Sequence, residues 1–318
     1  MIEGKSCFIT GGAGFIGSHL CERLVESNTV TVYGTGSRNA LKQTPLLDHP
    51  NLTFIEGDVL DADGVKRSID GAQIVIHCAA IAGTDTVGKS ILKTMDVNLF
   101  GTRNVLDEAV AADVERFIDF STSEVYGPHV YKDSEDSLTA QGPVGELRWV
   151  YSVSKLAAEH LCYCYREEYG LDTVTVRPFN IYGPRQVGEG AIHRFVVQAL
   201  KGEPITVAGD GTQIRAWCYV DDFVDGVMAA LETPEAVGET FNLGNPQGTV
   251  TVLNLATKIV RLSGSPSSIE FIDQPAAEVH VRVPAIDKAQ RLLGYRPKID
   301  IEEGLKRTIE SYRENPVA

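Results

Sequence analysis

The sequence predicts an α/β fold: a doubly wound, mostly parallel sheet with a smaller C-terminal cap. Three observations predict it. Over residues 1–178, short β-rich runs alternate with segments of helical period, joined by short connections. The first of these runs passes directly into a glycine-rich turn and then into a helix. After Arg177 the alternation loosens, interrupted by Pro178, Gly183, Pro184, Gly188 and Gly190.

Taken in order, Ser6–Thr10 reads as a strand and Phe15–Glu26 as a helix. Thr29–Tyr33 is β-branched and strand-like, and Leu52–Ile55 and Gln73–His77 are further strands. Thr94–Ala111 has the period of one long helix. Arg116–Phe120 is a strand that spills at once into polar S-T-S-E. Val150–Tyr169 is helical and stops at Gly170, a natural C-cap, before the strand Leu171–Val176. The second half offers helices at Ala191–Lys201, Leu253–Leu262 and Ile301–Tyr312. A strand and turn lie at G-E-P-I-T-V-A-G-D-G. No internal repeat, low-complexity tract or flexible linker divides the chain.

Composition narrows the function. The chain has 318 residues, 43% of them apolar, enough to bury a substantial core. Its net charge is −14 with no basic run, which argues against a nucleic-acid partner. A phosphorylated ligand would then need a few local arginines. No apolar run approaches the length of a membrane span, and no leader is apparent, so a cytoplasmic protein is expected. The six cysteines form no C-x-x-C pair and no Cys/His cluster has ligand spacing. Reduced, mostly buried thiols and no metal site are expected.

The glycine-rich turn is T-G-G-A-G-F-I-G at Thr10–Gly17. Gly11, Gly14 and Gly17 allow a tight turn, a close approach to a pyrophosphate and helix-on-strand packing. The N–H groups of Phe15, Ile16 and Gly17 would then open a helix whose dipole favours phosphate. A dinucleotide site is predicted. The end of the second strand reads V-T-V-Y-G-T-G-S-R-N, with Gly34 and Gly36 where a ribose-binding Asp is usual. Arg38, the nearest charge, suits a 2′-phosphate, so NADP stands as an alternative to NAD. Asp58 in E-G-D-V is placed to touch adenine.

Tyr151 and Lys155 lie four apart on the predicted helix, hence on one face. An ammonium beside a phenol stabilises phenolate and moves the tyrosine toward the range of a general base. Ser121, Thr122 and Ser123 leave the carboxyl end of a strand, where ligands bind in such sheets.

With these motifs the chain resembles the extended short-chain dehydrogenase/reductases, in their nucleotide-sugar epimerase, dehydratase and decarboxylase branch. The resemblance is carried by T-G-G-A-G-F-I-G, H-C-A-A at His77–Ala80, N-L-F-G-T at Asn98–Thr102, S-T-S-E-V-Y-G and Y-S-V-S-K. It continues through R-P-F-N-I-Y-G-P-R and G-T-Q-I-R-A-W-C-Y-V-D-D. It implies a Rossmann-type domain at 1–178 with a returning segment near 214–243, and a substrate-binding cap from 179–213 and 244–318. It implies Tyr151 as base, Lys155 as its partner and Thr122 as the hydroxyl holding the sugar. Val59, Ala79, Ala80 and Asn98 are implied at the cofactor, and Asn180, Arg185, Arg215 and Arg282 at the sugar diphosphate. It also implies a tightly held, recycled cofactor and a homodimer through Leu99–Ala112 and Leu156–Tyr169.

Which sugar reaction follows is narrowed by Thr122-Ser123-Glu124. Dehydratases of the branch carry Thr-Asp-Glu, and Ser123 is a far poorer acid than Asp. Glu124 would act near C5 or C6 of the ring, or hold the loop. S-T-S-E-V-Y-G and R-W-V-Y-S-V-S-K are similar to the loops of UDP-glucuronate decarboxylases, which makes decarboxylation of a UDP-glucuronate-type sugar the first expectation. A UDP-sugar 4-epimerase is the alternative, an NDP-sugar dehydratase the third, and a non-catalytic dinucleotide-binding sensor the alternative from another class.

Overall fold

Strand-forming residues spaced through the first half of the chain assemble one parallel sheet. The computed structural model describes residues 2–36, 40–273 and 279–316. Among these, seven strands lie in the spatial order Thr240–Leu243, Thr173–Pro178, Arg116–Phe120, Ile74–His77, Ser6–Thr10, Thr29–Gly34 and Leu52–Glu56. All neighbours run parallel. The chain winds outward from Ser6–Thr10, returns to the other side of that strand, and winds outward again. The order therefore reverses between Ser6–Thr10 and Ile74–His77, and a crevice opens at their carboxyl ends.

Helices cover both faces, so the strands are apolar on both sides. Phe8, Val75 and Phe117 face one core with Leu106, Cys162 and Tyr165, whereas Ile9, Ile76 and Ile118 face another with Leu20, Val224 and Val227. Alternation along Arg116–Phe120 decides which of its residues face the helix Leu147–Tyr169. Phe117 packs toward that helix, and Ser121, four residues on, bonds to Glu159 of it.

The single long helix expected over Thr94–Ala111 is instead three pieces. Ile91–Met95 runs into a wider, π-type turn at Asp96–Gly101, followed by Thr102–Ala111. The wide turn seats Asn98, fully buried, against the backbone of Ile81 on both its amide atoms, at 2.8 and 3.0 Å. Its amide also donates to the Ser154 hydroxyl at 3.0 Å. A π-type turn of this kind is common beside functional sites.

The returning segment enters the central sheet at Thr240–Leu243, while its first strand, Ile214–Ala216, pairs in a smaller sheet. That smaller sheet runs Thr249–Thr251, Ile214–Ala216, Val281–Pro284 and His129–Asp133. It hangs over the carboxyl end of the strand Arg116–Phe120 and brings Arg215 and Arg282 into register as neighbours. The six cysteines form no disulfide; four are buried and Cys164 is exposed.

Candidate functional site

The crevice is lined where the glycine loop meets the next strand's exit. Gly11 adopts φ +68°, and a Cβ there would come within 2.8 Å of the Ala79 backbone nitrogen. At Gly17 a Cβ would lie 2.6 Å from the Gly11 carbonyl oxygen, so the turn and the helix could not close on one another. The helix Phe15–Leu24 starts with no side-chain cap, leaving its first N–H groups to an external acceptor. A cleft of about 800 Å³ runs from here past Gly34, Thr35 and Gly36 to Asp58 and Val59, and to Ala79, Ala80 and Ile81. Its glycine floor, open helix end and volume fit a dinucleotide.

Of the residues expected at the cofactor, Gly11, Gly14, Phe15, Asp58, Val59, Ala79 and Ala80 line this cleft. Ile16 and Gly17 continue the helix behind it, and Asn98 supports Ile81 from beneath. Arg38 lies outside the described residues. Ser90, Lys93 and Glu189 also line the cleft and carry no signal in the sequence. Glu189 reaches across to the backbone N–H groups of Asp85 and Thr86, at 2.7 and 2.8 Å.

Tyr151 and Lys155 share one face of the helix Leu147–Tyr169. Burial pushes the Tyr151 phenol above its ordinary value, while the Lys155 ammonium and a hydrogen bond from Thr122 pull it down. Burial prevails, so the expected fall toward the working range of a base is not reached by these two groups alone. Burial works against the charged form of Lys155 as well, but Asp119 and Tyr151 outweigh it and hold the ammonium. Lys155 Nζ lies 3.6 Å from Asp119 Oδ1, and both side chains are sealed from solvent.

Thr122 also caps the short turn Ser123–Tyr126, accepting from the Glu124 N–H at 3.2 Å, and Ser123 is buried at the start of that turn. Glu124 is gripped from two sides. Arg148, from the tyrosine helix, donates to both its oxygens at 2.7 and 3.0 Å. Arg282, from the cap, donates to the same two oxygens and to the Gly127 carbonyl. Burial alone would raise the Glu124 carboxyl; the two guanidiniums overcome it and hold the group down at about 2. Glu124 is therefore a fixed anion and not a proton donor near neutral pH. Arg148 was invisible as a site residue because its partner stands 24 positions earlier.

The remaining expected ligands divide. Arg282 and Arg215 are neighbours in the cap sheet, and the Arg215 guanidinium reaches the carbonyls of Ile214 and Val279. Asn180, at φ +46°, donates to the Ala216 carbonyl at 2.9 Å and ties the strand exit to that sheet. Arg185 turns elsewhere. It forms a bidentate pair with Glu22, at 2.8 and 2.6 Å, and donates to Ser18 at 3.0 Å, which fixes its loop to the first helix. Arg185, expected at the sugar diphosphate, has its guanidinium matched by a carboxylate of the protein.

The profile of the NAD dependent epimerase/dehydratase family matches residues 7–244. The chain is 35% identical to the UDP-N-acetyl-alpha-D-glucosaminuronate decarboxylase of Bacillus cytotoxicus, over 98% of each chain. It is 36% identical to UDP-glucuronic acid decarboxylase 1 of Xenopus tropicalis, over 97% of this chain and 72% of that one. The crystal structure of UDP-glucuronic acid 4-epimerase from Bacillus cereus, in complex with UDP-glucuronic acid and NAD, superposes with a TM-score of 0.89. That pair is 32% identical, over 97% of this chain and 99% of that one.

Proposed function

Because the chain belongs to the NAD dependent epimerase/dehydratase family, we propose that it uses NAD to oxidise C4 of a nucleotide-diphosphate sugar transiently and then recycles the cofactor. Tyr151 takes the proton of the C4 hydroxyl, Lys155 stabilises the phenolate, and Thr122 orients the hydroxyl. When bound, NAD supplies the hydride acceptor and, in its oxidised form, a further positive charge. The groups of the protein leave the phenol above its ordinary value, so an added cation is what brings it into range.

The sugar we propose is a UDP-glucuronate-type uronate, and the reaction its decarboxylation. One observation carries this: two guanidiniums, Arg148 and Arg282, surround the single carboxylate of Glu124 beside the Tyr151 helix. The cluster keeps one net positive charge, which suits a second carboxylate, that of the sugar. A ketone at C4 makes that acid a β-keto acid, which loses CO₂ when the C5–C6 bond stands across the carbonyl plane. Relatives described as uronate decarboxylases, at 35% and 36% identity, support the same reading.

Incubation with UDP-glucuronate tests it. Release of CO₂ and a UDP-pentose by mass spectrometry is expected. A product of unchanged mass and inverted C4 gives the 4-epimerase reading instead, which the likeness to the Bacillus cereus epimerase favours. Loss of water marks a dehydratase. No turnover of any nucleotide sugar, with NAD bound, marks a sensor. We also propose a homodimer through Leu99–Ala112 and Leu156–Tyr169, where Phe100, Tyr163 and Tyr169 are exposed.

A further inference from the structure

We propose that Asp119 is a positioning residue: its buried carboxylate pins the Lys155 ammonium from beneath and so governs the field that Lys155 lays on the Tyr151 phenol. Asp119 sits near the end of a central strand, in register with His77 on one side and Thr175 on the other. It is wholly buried, and neither of its oxygens accepts an ordinary hydrogen bond from the protein. A carboxylate in that position is costly unless a cation matches it. Glu159, one turn beyond Lys155, is already matched by Arg177 at 2.9 and 2.6 Å. Lys155, 3.6 Å away, is left as the charge that faces Asp119.

The other groups around the pair stay neutral or balanced. Burial holds His77 down at about 3, and its two ring nitrogens bond the hydroxyls of Thr10 and Thr102 at 2.7 and 2.9 Å. Burial pushes the thiols of Cys78 and Cys162 well up. Beyond the phenol, Glu124 and its two arginines together keep one positive charge. From beneath the phenol, the charge that reaches Tyr151 is then the Lys155 cation less the Asp119 anion. Asp119 keeps the lysine charged and placed, which outweighs its own smaller repulsion of the phenolate.

This inference rests on Tyr151 being the base, and the two fail differently. Turnover by Tyr151→Phe would end the reading of Tyr151 and leave Asp119 without a role. With that variant inactive, the phenolate absorbance of the NAD-loaded protein is titrated against pH, subtracting the Tyr151→Phe spectrum. Asp119→Asn, which keeps shape and loses charge, should raise the midpoint by about one pH unit, because Lys155 loses the anion that keeps it charged and placed. The acid limb of kcat/KM should move up with it. Asp119→Glu, which keeps the charge, should leave the midpoint near that of the native protein. An unmoved or lowered midpoint in Asp119→Asn, or an equal shift in both variants, overturns the proposal. If Asp119→Asn does not fold, infrared spectra of the native protein decide. A protonated buried carboxyl band at neutral pH overturns the ion pair; its absence supports it.

Discussion

Arg282, on a cap strand, closes on Glu124, at the rim of the central sheet, through both terminal nitrogens of its guanidinium. The contact joins residues 158 positions apart and fastens the cap over the tyrosine helix. Its pH dependence follows from the depressed Glu124 carboxyl. A fall from 4.5 to about 2 corresponds to roughly 3 kcal/mol of preference for the ionised form. That contribution is complete above the unfolded-state value and is lost as pH falls toward the folded one. Glu124→Gln should therefore be less stable than the native protein at pH 7, with the gap closing between about pH 5 and pH 2. Denaturant midpoints measured across that range check it; a gap independent of pH would refute it.

Gly17→Ala should abolish NAD binding with the sheet intact. The added methyl would stand 2.6 Å from the Gly11 carbonyl oxygen and 2.6 Å from Gly12 Cα, both backbone atoms that cannot swing aside. The loop must open, and the helix end leaves the crevice. Cofactor released from purified variant, measured by mass spectrometry, should fall at least about tenfold, a loss of about 1.4 kcal/mol or more. Full retention of NAD would show that the loop has slack.

Arg185→Ala and Arg148→Ala should separate holding the fold from holding the sugar. Arg185 is paired with Glu22, whose side chain is 39% exposed, so its removal should cost about 1 kcal/mol of stability and leave KM unchanged. Arg148→Ala should raise KM for UDP-glucuronate at least about tenfold, because the cluster loses the charge proposed to meet the sugar carboxylate. It should alter KM for UDP-glucose little. Steady-state kinetics with both sugars decides; equal effects on the two would detach Arg148 from the carboxylate.

Legibility in the sequence followed the range of the interaction. The glycine turn, and the placement of Tyr151 and Lys155 on one helix face, are local patterns written in nearby residues, and both could be read. The clamp on Glu124 needs Arg148 and Arg282, which the fold alone brings to it. Asp119 looked like an ordinary polar residue in a strand; only alternation along that strand, under the helix, turns it to Lys155. The break at Asp96–Gly101 was hidden because an apolar period near 3.6 also tolerates one wider turn. The pairing of Arg185 with Glu22 was hidden because the motif around Arg185 fixes position and not direction. At φ +64° its backbone carries the side chain to the first helix.

Association should depend on an apolar face that the monomer leaves open. Phe100 is 53% exposed, and Tyr163, on the neighbouring helix, is 60% exposed. The Tyr165 hydroxyl donates to Asp107 and braces the two helices side by side, so their outer surfaces form one rigid face. A second copy related by a two-fold axis would set the same face against itself, which is the arrangement an isologous contact requires. Phe100→Asp with Tyr163→Asp would then bury unpaired carboxylates in that contact. The double variant should run as a monomer by light scattering while the native protein runs as a dimer, with dissociation strengthened at least about a hundredfold. Secondary structure should be unchanged, since both side chains project outward. A native protein that is monomeric at tens of micromolar, or a double variant that stays dimeric, would place the interface elsewhere.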